Sequence, residues 1–228
     1  MISFRHMILG LVALGLSACV SANDPATRGA PLATGLGAAA SQSTGSTVDA
    51  ATAYLVAQYD VEAIRVTVPS RLKVSEANTF KPHADIVWRG EAPGDRYVQV
   101  AAIFRDAMAM GTATMQKGRK VDLEVEVTRF HALTEKTRYT FGGMHEMRFI
   151  LTLRDAASGV VIDGPREVVA DVKASGGSAA IEEERIGRTQ RVVTVERLAQ
   201  VIRRELSAPA SEEQIVSRLA TPPMAVTQ

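Results

Sequence analysis

Residues 121–127, Val-Asp-Leu-Glu-Val-Glu-Val, alternate apolar and acidic side chains without a break. A period of two sends Val121, Leu123, Val125 and Val127 to one side of a strand and Asp122, Glu124 and Glu126 to the other. Such a strand buries one face and wets the other. Residues 145–153 repeat the pattern, with Met147, Phe149, Leu151 and Leu153 inward and Glu146, Arg148, Thr152 and Arg154 outward. Asp155 to Gly159 makes a tight connection to a third strand, Val160–Val172, interrupted by Gly164-Pro165. A proline there suits an edge or a bulge. The expectation is an antiparallel meander with one face covered.

The cover comes from two amphipathic helices. Asp95 is the expected N-cap of the first, where Tyr97, Val100, Phe104, Met108, Gly111 and Met115 recur at three- and four-residue steps. The second starts near Thr194, carries Val195, Leu198, Val201, Ile202 and Leu206 on one stripe, and stops at Pro209. Ahead of the first helix, Val61–Val68 reads as a strand ended by Pro69, with Leu72–Val74 a short continuation and Glu91–Asp95 a turn. Residues 182–191 (EEERIGRTQR) read as a mobile loop or a polar contact site for a partner subunit. A short helix is expected from Ser211, where Gln214 completes a capping box, before Pro222-Pro223. The fold class is therefore α+β, a two-layer sandwich of a mostly antiparallel sheet with two amphipathic helices on one face. It occupies one domain, residues 59–220, followed by a disordered tail at 221–228.

The N-terminus carries a different message. Arg5 precedes the apolar run Met7–Leu16, too short to span a bilayer but suited to a signal peptide, residues 1–18. Leu16-Ser17-Ala18-Cys19 follows and resembles the lipobox of bacterial lipoproteins, in which cleavage falls between Ala18 and Cys19 and Cys19 is acylated. Cleavage after Ala22, at Val20-Ser21-Ala22, is the alternative and would release a soluble periplasmic protein. Cys19 is the only cysteine, so no disulfide forms within the chain and lipidation gives the thiol a purpose. Val20 in place of Asp at the next position implies, by the same resemblance, the outer membrane. Residues 19–58 read as the lipidated Cys and a flexible tether, rich in Ala, Gly, Ser and Thr up to Thr47. Val48–Gln58 forms a short helix or leads into the first strand.

Composition excludes several classes. The chain has 26 Lys+Arg against 25 Asp+Glu, and the signal peptide removes one Arg, leaving 25 against 25. A nucleic-acid binder would show a basic excess. No stretch after the signal is apolar enough to cross a membrane as a helix.

The segments VSEAN at 74–78, DIVWR at 85–89, GDRY at 94–97 and VTRFHALTEKTRYTFGGMH at 127–145 carry a family resemblance, continued by Gly176-Gly177 and Gly187–Gln190. Over most of residues 61–205 the chain resembles an uncharacterised lipoprotein family of Gram-negative bacteria, defined as a domain of unknown function. The element order is also similar to that of auxiliary lipoproteins of ABC-type transport systems. That likeness implies support of lipid transport across the envelope and no catalysis.

The densest polar cluster lies at the expected hairpin tip, with Arg129, His131, Glu135, Lys136, Arg138, Tyr139, His145 and Glu146. Together with Trp88 it is a candidate partner-binding surface, recognising a protein or an anionic headgroup. Against this stands a solvated hairpin with local ion pairs, each worth about 0–1 kcal/mol, and for Trp88 a place in the core. His131 and His145 with Glu135 or Glu146 could in principle hold a metal, but no HxH or HExxH spacing supports it. There is no G-x-S-x-G nucleophile motif, and Gly142-Gly143 and Gly176-Gly177 read as turns, not phosphate cradles. No catalytic residue, metal or cofactor is assigned. The expected function is a non-catalytic outer-membrane lipoprotein, anchored on the periplasmic face, that binds an envelope protein or lipid in assembly or transport. The alternatives are a periplasmic hydrolase using His131 and His145, and a purely structural envelope component.

Overall fold

The computed structural model describes residues 55–209. The signal peptide, Cys19, the tether up to residue 54, the helix expected at Ser211 and the C-terminal tail lie outside the described residues. The last expected tether residues are not tether: Leu55–Ala57 is a strand, β1.

The central strands follow the alternation that predicts them. β4 (Arg119–His131) and β5 (Gly143–Asp155) pair antiparallel from Val121↔Asp155 to His131↔Glu146, with a bulge between Val127 and Arg129. On one side of the pair Val121, Leu123, Val127, Phe149, Leu151 and Leu153 are fully buried. β6 (Val161–Val169) pairs with β5 and holds the edge of the sheet, as Pro165 demands. The expected third strand ends sooner than Val172. The chain breaks at Ala170-Asp171, where Asp171 accepts the Met147 N–H at 2.9 Å, and then resumes as β7 (Val172–Ala174) against Gly143–His145 of β5.

On the far side, β2 (Tyr59–Thr67) runs parallel to β4. A parallel pair needs a crossover, supplied by the segment containing β3 (Ile86–Val87) and helix α1 (Arg96–Thr112). β3 pairs parallel with the end of β4. Asp95 caps α1 as expected, accepting from the Tyr97 and Val98 N–H groups. Phe104 of α1 meets Phe130 at 6.1 Å and Phe149 at 5.7 Å, both edge to face. The wet face of the sheet is laced with ion pairs such as Arg65–Asp122 (2.7 Å) and Arg154–Glu124 (2.8 Å).

Two expectations near the C-terminus are corrected. Residues 182–191 are not one loop: α3 spans Gly177–Arg185, and α4 begins at Gln190, not near Thr194, with Thr189 as its N-cap. α4 ends at Glu205, before Pro209, because Ser207–Pro209 becomes β8, paired antiparallel with β1. Its stripe is as read, with Val195, Leu198, Val201, Ile202 and Leu206 all buried. α1 and α4 touch at Gly111, where a Cβ would lie 2.6 Å from the Ala199 carbonyl oxygen and collide with Ile202.

Gly111→Ala tests that contact with a definite sign. Helix propensity alone would favour Ala over Gly by about 1 kcal/mol, but overpacking costs about 1–3 kcal/mol. Urea denaturation should show a lower midpoint; a raised midpoint would mean the two helices are not in close contact there.

Candidate functional site

The expected hairpin tip is a folded corner. After β4 the chain turns through α2 (Glu135–Arg138), with Thr134 as N-cap, before β5 begins. Residues 75–85 lie across this corner as a strap. Thr134 Oγ1 donates to the Thr79 carbonyl (2.8 Å), Thr137 Oγ1 to the Phe80 carbonyl (2.6 Å), and the Lys136 N–H to Asn78 Oδ1 (2.9 Å). The strap is pinned at its start by Glu76, which takes two hydrogen bonds from Arg96 (2.6 and 2.9 Å). Arg89 binds Glu135 and the Glu76 carbonyl, so two arginines bracket two carboxylates. Hydrogen bonds from these guanidiniums hold the Glu76 and Glu135 carboxyls below their usual range.

Several expected surface residues are internal. Trp88, Arg138 and His145 are buried, and His131 is nearly so. Trp88 stacks edge-on with Phe130 at 5.5 Å, and a Cβ at Gly90 would overlap its ring. The structure thus places Trp88 in the core, where it cannot touch a partner. His131 Nε2 lies 3.0 Å from the Pro82 carbonyl and closes the strap. His145 Nδ1 accepts the Leu133 N–H at 3.3 Å, so the ring proton is assigned to Nε2, which has no protein acceptor. Arg138 lies under α3, with Nη2 at 3.4 Å from the Ala180 carbonyl and Nε at 3.6 Å from Glu184. Arg129 and Glu146 pair at 2.7 Å. Among the described residues, neither histidine is hydrogen-bonded to a carboxylate, and no three His, Cys, Asp or Glu side chains converge as metal ligands.

What does reach solvent is aromatic. Phe80 of the strap and Phe141 after α2 stack at 5.1 Å while 47% and 70% exposed. Lys136 lies over the Phe80 ring at 4.4 Å, and Tyr139 and Met144 are exposed beside them. Phe141 is held outward by backbone packing. A Cβ on Gly142 would lie 2.6 Å from the Ala174 carbonyl and 2.7 Å from the Gly176 N–H, and one on Gly176 would overlap the Phe141–Gly142 backbone. The two glycine pairs, expected as turns, are a single close contact between chain segments. The aromatic pair was missed in sequence because each ring stands alone in a polar stretch. A phenylalanine directly before Gly142-Gly143 was the available signal.

Residues 59–221 match a family of unknown function, DUF6778. The chain belongs to that family. The match spans well over half of the 228 residues and contains every segment that carried the expected resemblance. No curated protein sequence is significantly similar. Among solved structures, a Caulobacter crescentus protein described as a candidate lipoprotein aligns at 18% identity and TM-score 0.30, over 50% of this chain and 83% of its own. A Xanthomonas campestris protein of family DUF330 aligns at 13% identity and TM-score 0.37, over 72% and 87%. An uncharacterized protein aligns at 15% identity and TM-score 0.35, over 67% and 94%. These distant likenesses carry no part of the functional argument.

The buried His145 gives the corner a pH signature. Burial, with the Arg138 cation adding to it, pulls the ring from 6.5 down to about 4. The unfolded chain therefore binds more protons than the folded one between those values. Stability falls as pH drops through that window, by up to about 3 kcal/mol. Glu146 does not obscure this. Burial pushes its carboxyl up, but hydrogen bonds from Lys81 and Arg129 outweigh that and hold it at about 2, so its contribution is lost only as pH falls below 4.5. Urea titrations at pH 7, 6 and 5 should show wild type losing stability relative to His145→Gln as pH falls. A constant difference between the two proteins would show that the ring titrates normally.

Proposed function

We propose that this chain is a non-catalytic envelope lipoprotein, held through Cys19 at the periplasmic face of the outer membrane, whose folded domain is a binding module for an envelope protein or lipid partner. One observation carries the binding role. Phe80 and Phe141 are stacked on each other and exposed, on a corner whose backbone is fixed by the strap and by the glycine contact. Burying a large aromatic ring is worth about 1.5–3 kcal/mol, so leaving two outside forgoes core stabilisation that a partner can recover. Rigid exposed aromatics are characteristic anchors of binding surfaces. The non-catalytic reading is supported by the chemistry of the corner: its two histidines serve as hydrogen-bond partners of the backbone. Among the described residues no helix is long and apolar enough to cross a membrane.

Two measurements test this. Mass analysis of the mature N-terminus should find an acylated Cys19; a free chain beginning at Asn23 would remove the anchor. Co-purification of the native protein in mild detergent should recover a protein or lipid partner, and Phe80→Ser with Phe141→Ser should lose it while changing stability by only about 0.5 kcal/mol per site. Recovery of the same partner by the double variant would place binding elsewhere.

A further inference from the structure

Two open cavities share Lys81, the neighbour of Phe80. One, about 280 Å³, is lined by Phe80, Phe141, Leu133 and Met144. The other, about 290 Å³, is lined by Lys73, Lys81, Pro82, His83, Asp85 and Arg129. The second is cationic in effect. Lys73, Lys81 and Arg129 outnumber its one aspartate, Asp85, whose Oδ2 accepts the Lys73 backbone N–H at 2.8 Å. Glu146, which lines the first cavity, is shared between two cations, Lys81 at 2.6 Å and Arg129 at 2.7 Å. The side chains of Lys73 and His83 have no carboxylate partner within ion-pair distance among the described residues, and neither has Lys136 over Phe80. Positive charge in excess thus borders two protruding rings.

The strap offers little directional hydrogen bonding to a protein partner. The carbonyls of Glu76, Thr79, Phe80, Pro82 and Ala84 are already engaged by Arg89, Thr134, Thr137, His131 and Arg129. A lipid interface asks only for apolar penetration and positive charge. We propose that this face docks on an anionic phospholipid surface, with Phe80 and Phe141 entering the headgroup–acyl boundary and Lys73, Lys81 and Arg129 meeting lipid phosphates. The proposal rests on the binding function above and names its occupant: the domain makes a second, charge-selective contact with a membrane, independent of Cys19.

The test uses the full acylated chain carrying Thr140→Cys, an exposed position next to Phe141, labelled with a polarity-sensitive fluorophore. Vesicles are phosphatidylcholine alone or phosphatidylcholine mixed with phosphatidylglycerol, and flotation is recorded alongside fluorescence. Docking predicts a blue shift on the anionic vesicles and little on the zwitterionic ones. Lys73→Ala and Lys81→Ala should each weaken it about fivefold, and Phe80→Ser with Phe141→Ser should abolish it, with Trp88 emission unchanged as the check on folding. A chain that floats on both vesicles without any shift overturns the docking and leaves the anchor standing. Flotation on anionic vesicles alone, with the shift, does the reverse. An equal shift on zwitterionic vesicles, or the same shift from inorganic phosphate without vesicles, also overturns the proposal.

Discussion

The structure turns on Phe104. It stands at the middle of α1 and meets Phe130 of β4 and Phe149 of β5 edge to face, while Phe130 in turn meets Trp88 at the end of β3. One aromatic row therefore joins the covering helix, the two central strands and the chain that leaves the strap. Edge-to-face pairs add about 0.5–1.5 kcal/mol each beyond area burial, and their geometry fixes direction as well as distance. α1 cannot slide along the sheet without breaking two of these contacts. Its first residue, Arg96, is held at a set height above the sheet, where it grips Glu76 and so the start of the strap.

This dependence explains why some parts of the protein were legible in its sequence. β4 and β5 announce themselves because a half-buried strand must alternate, and the period holds up to a bulge between Val127 and Arg129. The stripes of α1 and α4 were readable for the same reason. α3 was not. Its sequence, GSAAIEEER, buries only Ala180, so it shows almost no apolar stripe, and its N-cap Gly176 gives no side-chain signal. The start of α4 was missed because its first turn is Gln190-Arg191, polar residues that complete the helix through the Thr189 cap and Arg191 ion pairs with Glu91 and Asp106. The parallel pairing of β2 was equally hidden, since strand order is set by contacts distant in sequence.

The candidate site shows the same division more sharply. His131, Arg138 and His145 are polar types that often face solvent or a rim, yet here they form the inside of the corner. Their burial depends on the strap and on α3, neither of which local sequence reveals. Phe80 and Phe141 make the opposite exchange, standing outside where apolar residues are expected inside. Burying polar groups in this corner costs desolvation, visible in the depressed His145 ring and in the buried Arg138 Nε without a hydrogen-bond acceptor. Those costs are borne by a structure whose aromatic core lies elsewhere.

Charge on the rest of the surface clarifies why this corner, and not the broad open face of the sheet, is the place to look. On that face Arg65, Arg71 and Arg154 each have carboxylate partners in Asp122, Glu126 and Glu124. Such exposed pairs contribute little stability individually, but they set a carboxylate against each of these three guanidiniums. The cavity lining beside Phe80 differs: among the described residues the Lys73 side chain has no ion-pair partner, and Glu146 serves two cations at once. Nearly equal totals of acidic and basic residues in the chain therefore conceal a local excess, and it adjoins a pair of large aromatic rings stacked in solvent. Two independent departures from an ordinary solvated surface meet on one strap of eleven residues, 75–85, and the packing of Phe104 is what ultimately holds that strap in place.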